Sequence, residues 1–282
     1  MKRQVRRVRV NNNDQQLTGW QLDHSAPESY ERFLVPAIFD AWTDRLLGHV
    51  SIEEGDHLLD LACGTGIVAR QAVSLVGDTG SVIGLDINEG MLEVAQQTAG
   101  DRNIEWRHGS ALEIPFEDRR FDLVCCQQAM QFFDEPVAAL TEVRRVLTPG
   151  GQALFTVWRP IEYQPGYRIL ADALERHVGG DAGTMMRSPF PDWEGDYLHT
   201  LADSAGCSDV EVTIELGSMR YPSVGEFVRQ EAASSPLAAQ IAAIDAETRV
   251  ELVEEVRRDL DGYVVDHGLH TPMESFCLRW HE

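Results

Sequence analysis

Lysine is all but missing from this chain: of its 24 basic residues only Lys2 is a lysine. Cysteine is scarce and unpaired in pattern. The five, Cys63, Cys125, Cys126, Cys207 and Cys277, make an odd number with no C-x-x-C and no Cys/His ligand spacing, which excludes a disulfide or zinc framework. Long apolar runs are absent too. No window approaches the roughly 18 uninterrupted apolar residues of a spanning helix, and the mean hydropathy is −0.24. Positive charge is in short supply: 24 basic against 46 acidic residues leave −22, and five of the positives (Lys2, Arg3, Arg6, Arg7, Arg9) lie in the first ten residues. A phosphate-tracking surface is excluded on this balance, and with it a nucleic-acid partner. The start MKRQVRRVRV leads into NNNDQQ, not into the apolar segment and small-residue cleavage site of a secretory signal. The expectation is a cytoplasmic, acidic protein with no membrane segment, whose arginine-keeping, acid-loaded body suggests a salt-adapted or GC-rich source.

What is present is an ordinary globular composition, with 43% hydrophobic and 25% charged residues over 282 positions, enough for one large domain or two modest ones. Residues 1–16 read as a basic and polar, disordered tail; one domain is expected over 17–282. From residue 56 short apolar runs alternate with amphipathic stretches, the pattern of a parallel sheet flanked by helices. HLLDLA (57–62), SVIGLD (81–86), IEWRHG (104–109), FDLVCCQ (121–127) and QALFTVW (152–158) read as strands. FDLVCCQ, with a continuous apolar run from Leu123 to Cys126, suits a strand covered on both faces, with its cysteines acting as small hydrophobes. Helices are expected over 67–76, 89–98 and 136–147, the last stopped by TPGG. A helical stretch over 27–47, with Pro36 as a kink, precedes this 56–158 core. Beyond it a mostly helical cover spans 160–265, with helices over 165–178, 196–205 and 223–265 and a strand at 210–216. A last strand closes the chain at 273–281. The fold class is α/β, a doubly wound and mostly parallel sheet.

The chemistry-bearing motif lies between the first strand and the first helix. A strand ending in Asp60, then Gly64 and Gly66, then a helix, allows close backbone approach at the glycines and points a helix N-terminus at whatever binds there. GTGIVA also satisfies G-x-G-x-x-A, a weak match alone. Asp86 strengthens it, ending the second strand 20 residues beyond Gly66, where a carboxylate accepts from both hydroxyls of a ribose. An adenosine ligand at the topological switch point follows.

LLDLACGTG (58–66), VIGLDINEGMLEVA (82–95), HGSALEIPFEDRRFDLVCCQQAMQFFDEP (108–136) and EVRRVLTPGGQALFTVW (142–158) resemble, motif by motif, the class I S-adenosylmethionine-dependent methyltransferases of the ubiquinone/menaquinone-biosynthesis type (methyltransferase type 11). The resemblance implies a Rossmann-like, seven-stranded sheet with an antiparallel last strand, S-adenosyl-L-methionine as cofactor, and direct methyl transfer to a small-molecule acceptor. It implies that Asp60 and the backbone around Ala62, Gly64 and Gly66 hold the methionine part of the cofactor, that Asp86 grips the ribose and Ile87 packs on the adenine. Ser110 and Ala111 would meet the adenine edge and Gln127 would lie along the methionine. The family often has Asp where this chain has Ser110, and Ala62 replaces the first family glycine. Two other functions share parts of the pattern: a sensor holding the same ligands without transfer, and an NAD(P)-dependent oxidoreductase. The latter falls behind because Asp60 would oppose a pyrophosphate but suit a cationic amino group, and no lysine follows position 2 to build a Tyr-x-x-x-Lys pair.

For the acceptor side the expected residues are Tyr30, Gln128, Gln131, Trp158 and Arg159, with no identifiable catalytic base among them. The aromatics Trp158, Tyr163, Tyr167, Phe190, Trp193 and Tyr197 are either core or the wall of an apolar pocket. His267 and His270 stand three apart, but GLHTP reads as loop, and no metal site is expected. His108, near the expected adenine segment, reads as structural.

Overall fold

The computed structural model describes residues 26–282; the expected tail, residues 1–16, lies outside them. The apolar runs become strands β1 (His57–Leu61), β2 (Ser81–Asp86), β3 (Ile104–His108), β4 (Phe121–Gln127) and β5 (Leu147–Trp158). All five run parallel in the order β3-β2-β1-β4-β5. The sheet continues through β8 (Gly268–His281), antiparallel to β5, to β6 (Glu211–Tyr221) at the edge, while the two-residue β7 (Val264–Val265) pairs only with β8. This is the doubly wound, seven-stranded sheet with one antiparallel strand, plus a short hairpin arm. The chain runs outward from β1 to β3 and then crosses back to β4, so the strand order reverses between β1 and β4. That is where open α/β sheets take their ligands.

Two apolar layers flank the sheet. On one face α5 (Pro136–Val146) and α8 (Gly195–Ser204) cover Leu59, Phe121, Val124, Phe155, Leu278 and Trp280. On the other, α2 (Asp40–Leu47) and α3 (Ile67–Ala72) cover Leu58, Leu123, Cys125 and Cys277. Alternation along each strand sends neighbours to opposite layers, which is why Cys125 and Cys126 are both fully buried yet belong to different cores. All five cysteines are free and buried. A third cluster joins the N-terminal helices to α6 (Pro165–His177), α7 (Gly180–Arg187), α9 (Val224–Ala233) and α11 (Ala246–Asp259).

Several expected boundaries move, each for a visible reason. The helix before TPGG ends at Val146 and the strand begins at once. TPGG is a bulge inside β5, opposite the shift between the Phe121 and Leu123 pairings, with Gly150 at φ +85°. The stretch 223–265 is not one helix. Pro236, which cannot supply an N–H to the helix ladder, follows the end of α9; Asp245 accepts from the N–H of Thr248 and caps α11, with α10 (Ala238–Ala243) between them. Of the 160–265 segment, β6 belongs to the sheet and α8 to the face opposite α6. GLHTP lies in β8 rather than a loop. Asp266 and His267, both at positive φ, form the two-residue turn between β7 and β8, the left-handed geometry hairpins prefer. His267 and His270 therefore share no helix face. The short α7 was not expected; its glycines weaken the helical pattern, but Ala182 and Met186 bury it.

The 27–47 stretch is helical as α1 (Ala26–Ser29), a wider π-helical segment (Tyr30–Phe39) and α2. Pro36 sits inside the π segment, where its missing N–H favours a departure from the regular ladder.

Candidate functional site

The carboxyl ends of β1, β2 and β4 bring Asp60, Asp86 and Gln127 to one edge, because the register pairs Asp60 with Gly84 and with Cys125. The turn after β1 is built from left-handed residues: Ala62 at φ +54°, Gly64 at +54° and Gly66 at +82°. Gly64 faces open space, and a Cβ there would meet nothing. Gly66 has a different task. A Cβ on it, or on Gly84, would collide with the indole of Trp106, so the two glycines form the slot that seats this ring against the turn.

Asp86 locks the turn to β2. One of its oxygens accepts from the Gly64 N–H at 2.7 Å and the other from the Asn88 N–H at 2.8 Å. Asn88, not Asp86, caps α4 (Glu89–Ala99), accepting from Met91 N. Burial raises the Asp86 carboxyl above its ordinary range, opposed by its backbone donors. Asp60 is 1% exposed, and Oδ2 accepts from the Ala69 N–H of α3 at 2.9 Å. Burial pushes its pKa up to about 7. Burial thus favours the protonated form of the carboxyl expected to be negative before the glycine turn, and a nearby cation would draw the proton off.

Ile87 is 63% exposed beside this turn, and its carbonyl lies 3.0 Å from His108 Nε2, which fits a structural His108. Ser110 is partly committed: its hydroxyl accepts from the Leu112 N–H at 3.1 Å, and it bridges to Glu113. An open cleft of about 840 Å³ runs past Ser110 with Phe116, Arg120 and Arg145, and the glycine turn takes no part in its lining. Ala111 packs on the core of that side. Gln127 Oε1 accepts from the Thr43 hydroxyl at 3.1 Å, while its buried Nε2 has no partner. The buried hydroxyl of Thr65, inside the glycine turn, is also unpartnered.

On the β4 and β5 side, Gln128 is buried at φ +52°. Its Nε2 donates to Ser275 Oγ at 2.8 Å, and its carbonyl accepts from Gln131 Nε2 at 2.9 Å; the Oε1 atoms of both glutamines are unpartnered. Trp158, 4% exposed, meets Trp42 edge-on at 5.0 Å. Arg159 departs from its expected place. It pairs with Glu274 and lies over the rings of Tyr163 and Phe276, and Phe276 belongs to the layer opposite Trp158. The six aromatics split likewise: Trp158, Phe190 and Tyr167 form one string, Trp193 and Tyr197 a separate pair, and Tyr163 lies under Arg159. Tyr30 stacks on Phe39 at 5.1 Å. Burial, with Glu31, Asp86, Asp60 and Glu231 nearby, holds its hydroxyl well above the ordinary phenol range. Tyr30 therefore stands between the β1/β2 acids and the helical cover.

Two features were missed in the sequence. Arg70 of α3 pairs with Glu31 at 2.8 Å, tying the N-terminal helix to the glycine turn. Glu231, 1% exposed in α9, accepts from Tyr167 OH at 2.7 Å and Tyr221 OH at 2.5 Å. Its signal was an acid four residues after Phe227 on the buried face of an amphipathic helix.

Sheet order, switch point and glycine turn define the class I methyltransferase fold, and residues 59–155 match the family described as a methyltransferase domain. That match runs from within β1 to within β5 of the sheet core. Over 114 residues it is 39% identical to the demethylmenaquinone methyltransferase of Staphylococcus aureus, an alignment covering 40% of this chain and 47% of that protein. The chain thus spans about half the length of the curated relatives it matches. In fold it is similar to phosphoethanolamine N-methyltransferase 2 of Haemonchus contortus, solved in complex with S-adenosyl-L-methionine, at TM-score 0.57 and 20% identity, covering 92% of this chain and 57% of that one. It is also similar to a SAM-dependent methyltransferase from Aquifex aeolicus at TM-score 0.52 and 19% identity, covering 71% and 94%.

Proposed function

We propose that the protein binds S-adenosyl-L-methionine at the carboxyl ends of β1, β2 and β4 and transfers its methyl group to a small-molecule acceptor by direct displacement. The observation that carries this reading is the left-handed turn with open space at Gly64, flanked by Asp60 and Asp86. The residues fit the group. Asp86 would exchange its Gly64 contact for the ribose hydroxyls, Ile87 would cover the adenine, and Ser110 and Ala111 would meet its edge. Asp60, with the backbone of Ala62 to Gly66, would face the methionine ammonium. The unpartnered amide of Gln127 would reach the methionine carboxylate.

When bound, the cofactor supplies an electrophilic methyl on a sulfonium. The chain's own part is positioning and exclusion of water: Tyr30 and Trp158 wall the space beside the reacting centre, Gln128 and Gln131 fix the β4 turn beneath it, and Arg159 steadies the start of the cover through Glu274. The 56–158 segment acts as the cofactor half, and α6, α7, α9 and α11 of the 160–265 segment as the acceptor half, of one domain. Action in the cytoplasm belongs to the same reading, supported by five free thiols and an acidic surface. The test is incubation of the full chain with methyl-labelled cofactor and metabolite extracts, beside calorimetry with S-adenosylhomocysteine and NADH. A labelled small molecule and binding of the adenosyl ligand are expected. Binding of NADH alone would overturn the cofactor, and cofactor binding without any labelled product would favour a sensor.

A further inference from the structure

Glu231 is the one buried acid of the cover with a free oxygen: Oε1 takes both phenol protons of Tyr167 and Tyr221, while Oε2 has no partner. Among the described residues no Lys, Arg or His lies within ion-pair distance of it. The Tyr30 hydroxyl feels Glu231 as well as Asp60 and Asp86. A buried carboxylate without a counter-charge is costly, so burial raises the Glu231 pKa to about 7, and a cation arriving beside it would draw the proton off.

The surroundings suit such a visitor. Rings run in an unbroken string from the cofactor side to Glu231: Tyr30 to Phe39 at 5.1 Å, Phe39 to Trp158 at 6.5 Å, Trp158 to Phe190 at 6.4 Å, Phe190 to Tyr167 at 4.9 Å, and Tyr167 through Phe227 to Tyr221 at 5.8 and 5.1 Å. Aromatic faces attract organic cations, and a carboxylate at the end of the string neutralises one. We propose that Glu231, framed by these rings, binds the positively charged nitrogen of the methyl acceptor, so that the acceptor is an organic amine. This rests on the methyltransferase reading. An anionic acceptor would meet the Glu231 carboxylate with no cation beside it to offset the repulsion. A neutral alcohol could donate to Oε2 but would leave the charge uncompensated.

The experiment uses the full chain, titrated first with S-adenosylhomocysteine and then, in its presence, with choline or with the neutral carbon isostere 3,3-dimethylbutan-1-ol. Choline should bind at least about tenfold more tightly than the alcohol, and Glu231→Gln should erase that preference, while Tyr167→Phe, which keeps the carboxylate, should retain it. Choline does not titrate, so its affinity should rise with pH as Glu231, pushed to about 7 by burial, loses its proton. The groups facing Glu231 are Tyr167 of α6, Tyr221 of β6 and Tyr30 of the π segment, all held well above 10; Asp60, beyond Tyr30, is also raised to about 7, so the rise belongs to Glu231 where it persists in Asp60→Asn, a comparison that holds even if Glu231→Gln fails to fold. Equal binding of the two probes, binding of neither, or a preference surviving in Glu231→Gln would overturn the proposal. Choline preference without binding of S-adenosylhomocysteine would remove the methyltransferase reading and keep the cation site; the reverse result removes this proposal alone.

Discussion

Asp86 carries two jobs at once. Its carboxylate holds the Gly64 and Asn88 N–H groups in the described structure and, on the proposed function, would turn to the ribose. Asp86→Ala should weaken S-adenosylhomocysteine binding by roughly 1.5–3 kcal/mol, the worth of hydrogen bonds to a charged group, measurable by calorimetry. Unchanged affinity would detach the ribose from this residue. Ala62 and Gly66 test the turn itself. Ala62 holds a left-handed angle that costs a residue with a Cβ about 1–2 kcal/mol. Because glycine loses more chain entropy on folding, Ala62→Gly should leave a net gain of only about 0.5–1 kcal/mol in chemical denaturation. Gly66→Ala goes the other way. It meets Trp106 and a φ of +82°, and overpacking of this kind costs roughly 1–3 kcal/mol before strain is added.

At the scale of elements, the tie between Glu31 and Arg70 links the N-terminal helix to α3, the helix that opens from the glycine turn. Both side chains are mostly buried, so Glu31→Ala leaves a guanidinium that keeps its bonds to the Thr65 carbonyl and the Thr98 hydroxyl but has lost its carboxylate. We expect a stability loss of about 1–3 kcal/mol together with faster release of S-adenosylhomocysteine in stopped-flow measurements. A release rate equal to wild type would mean that the N-terminal helix is no wall of the cofactor site. This contact also shows where sequence reading stops. The core strands were legible because short, mostly apolar runs bounded by turn residues have few other folds, and the glycine turn because two glycines and two acids stand at fixed spacing. The π segment was legible only as a helix with a proline. TPGG was misread because a turn signal looks the same at a helix stop and in a strand bulge, and the pairing partner Phe121 decides which. Glu231 carried no motif at all. Its meaning comes from Tyr167 and Tyr221, 64 and 10 residues away, and only tertiary packing brings those phenols together.

The whole molecule carries −22, and its acidic body repels itself. Thermal midpoints should therefore rise along a potassium chloride series, since at 1 M the Debye length is only about 3 Å; a flat or falling series would remove the salt-adaptation idea. The dependence on pH separates this diffuse term from the buried acids. Asp60 and Glu231 are pushed from ordinary values of 3.8 and 4.5 to about 7, so between about pH 4 and 7 the folded chain holds protons that the unfolded chain has released. Stability then falls as pH rises through that window. Carboxyls that are lowered, Glu142 by Arg145 and Glu255 by His177 and Arg176, act oppositely, but their stabilisation is lost only as pH drops below the ordinary carboxylate range. The unliganded chain should thus melt at a higher temperature near pH 5 than at pH 8, and at 1 M potassium chloride a difference should persist, because buried groups are screened far less than surface ones. A cationic ligand beside Asp60 reverses the trend: S-adenosylmethionine should raise the midpoint more at pH 8, where the acid is already ionised, than at pH 5, where a proton must first leave. Calorimetric scans at both pH values, with and without cofactor and at both salt levels, decide it. A pH difference that vanished in high salt would assign the whole effect to surface repulsion and leave Asp60 and Glu231 no part in it.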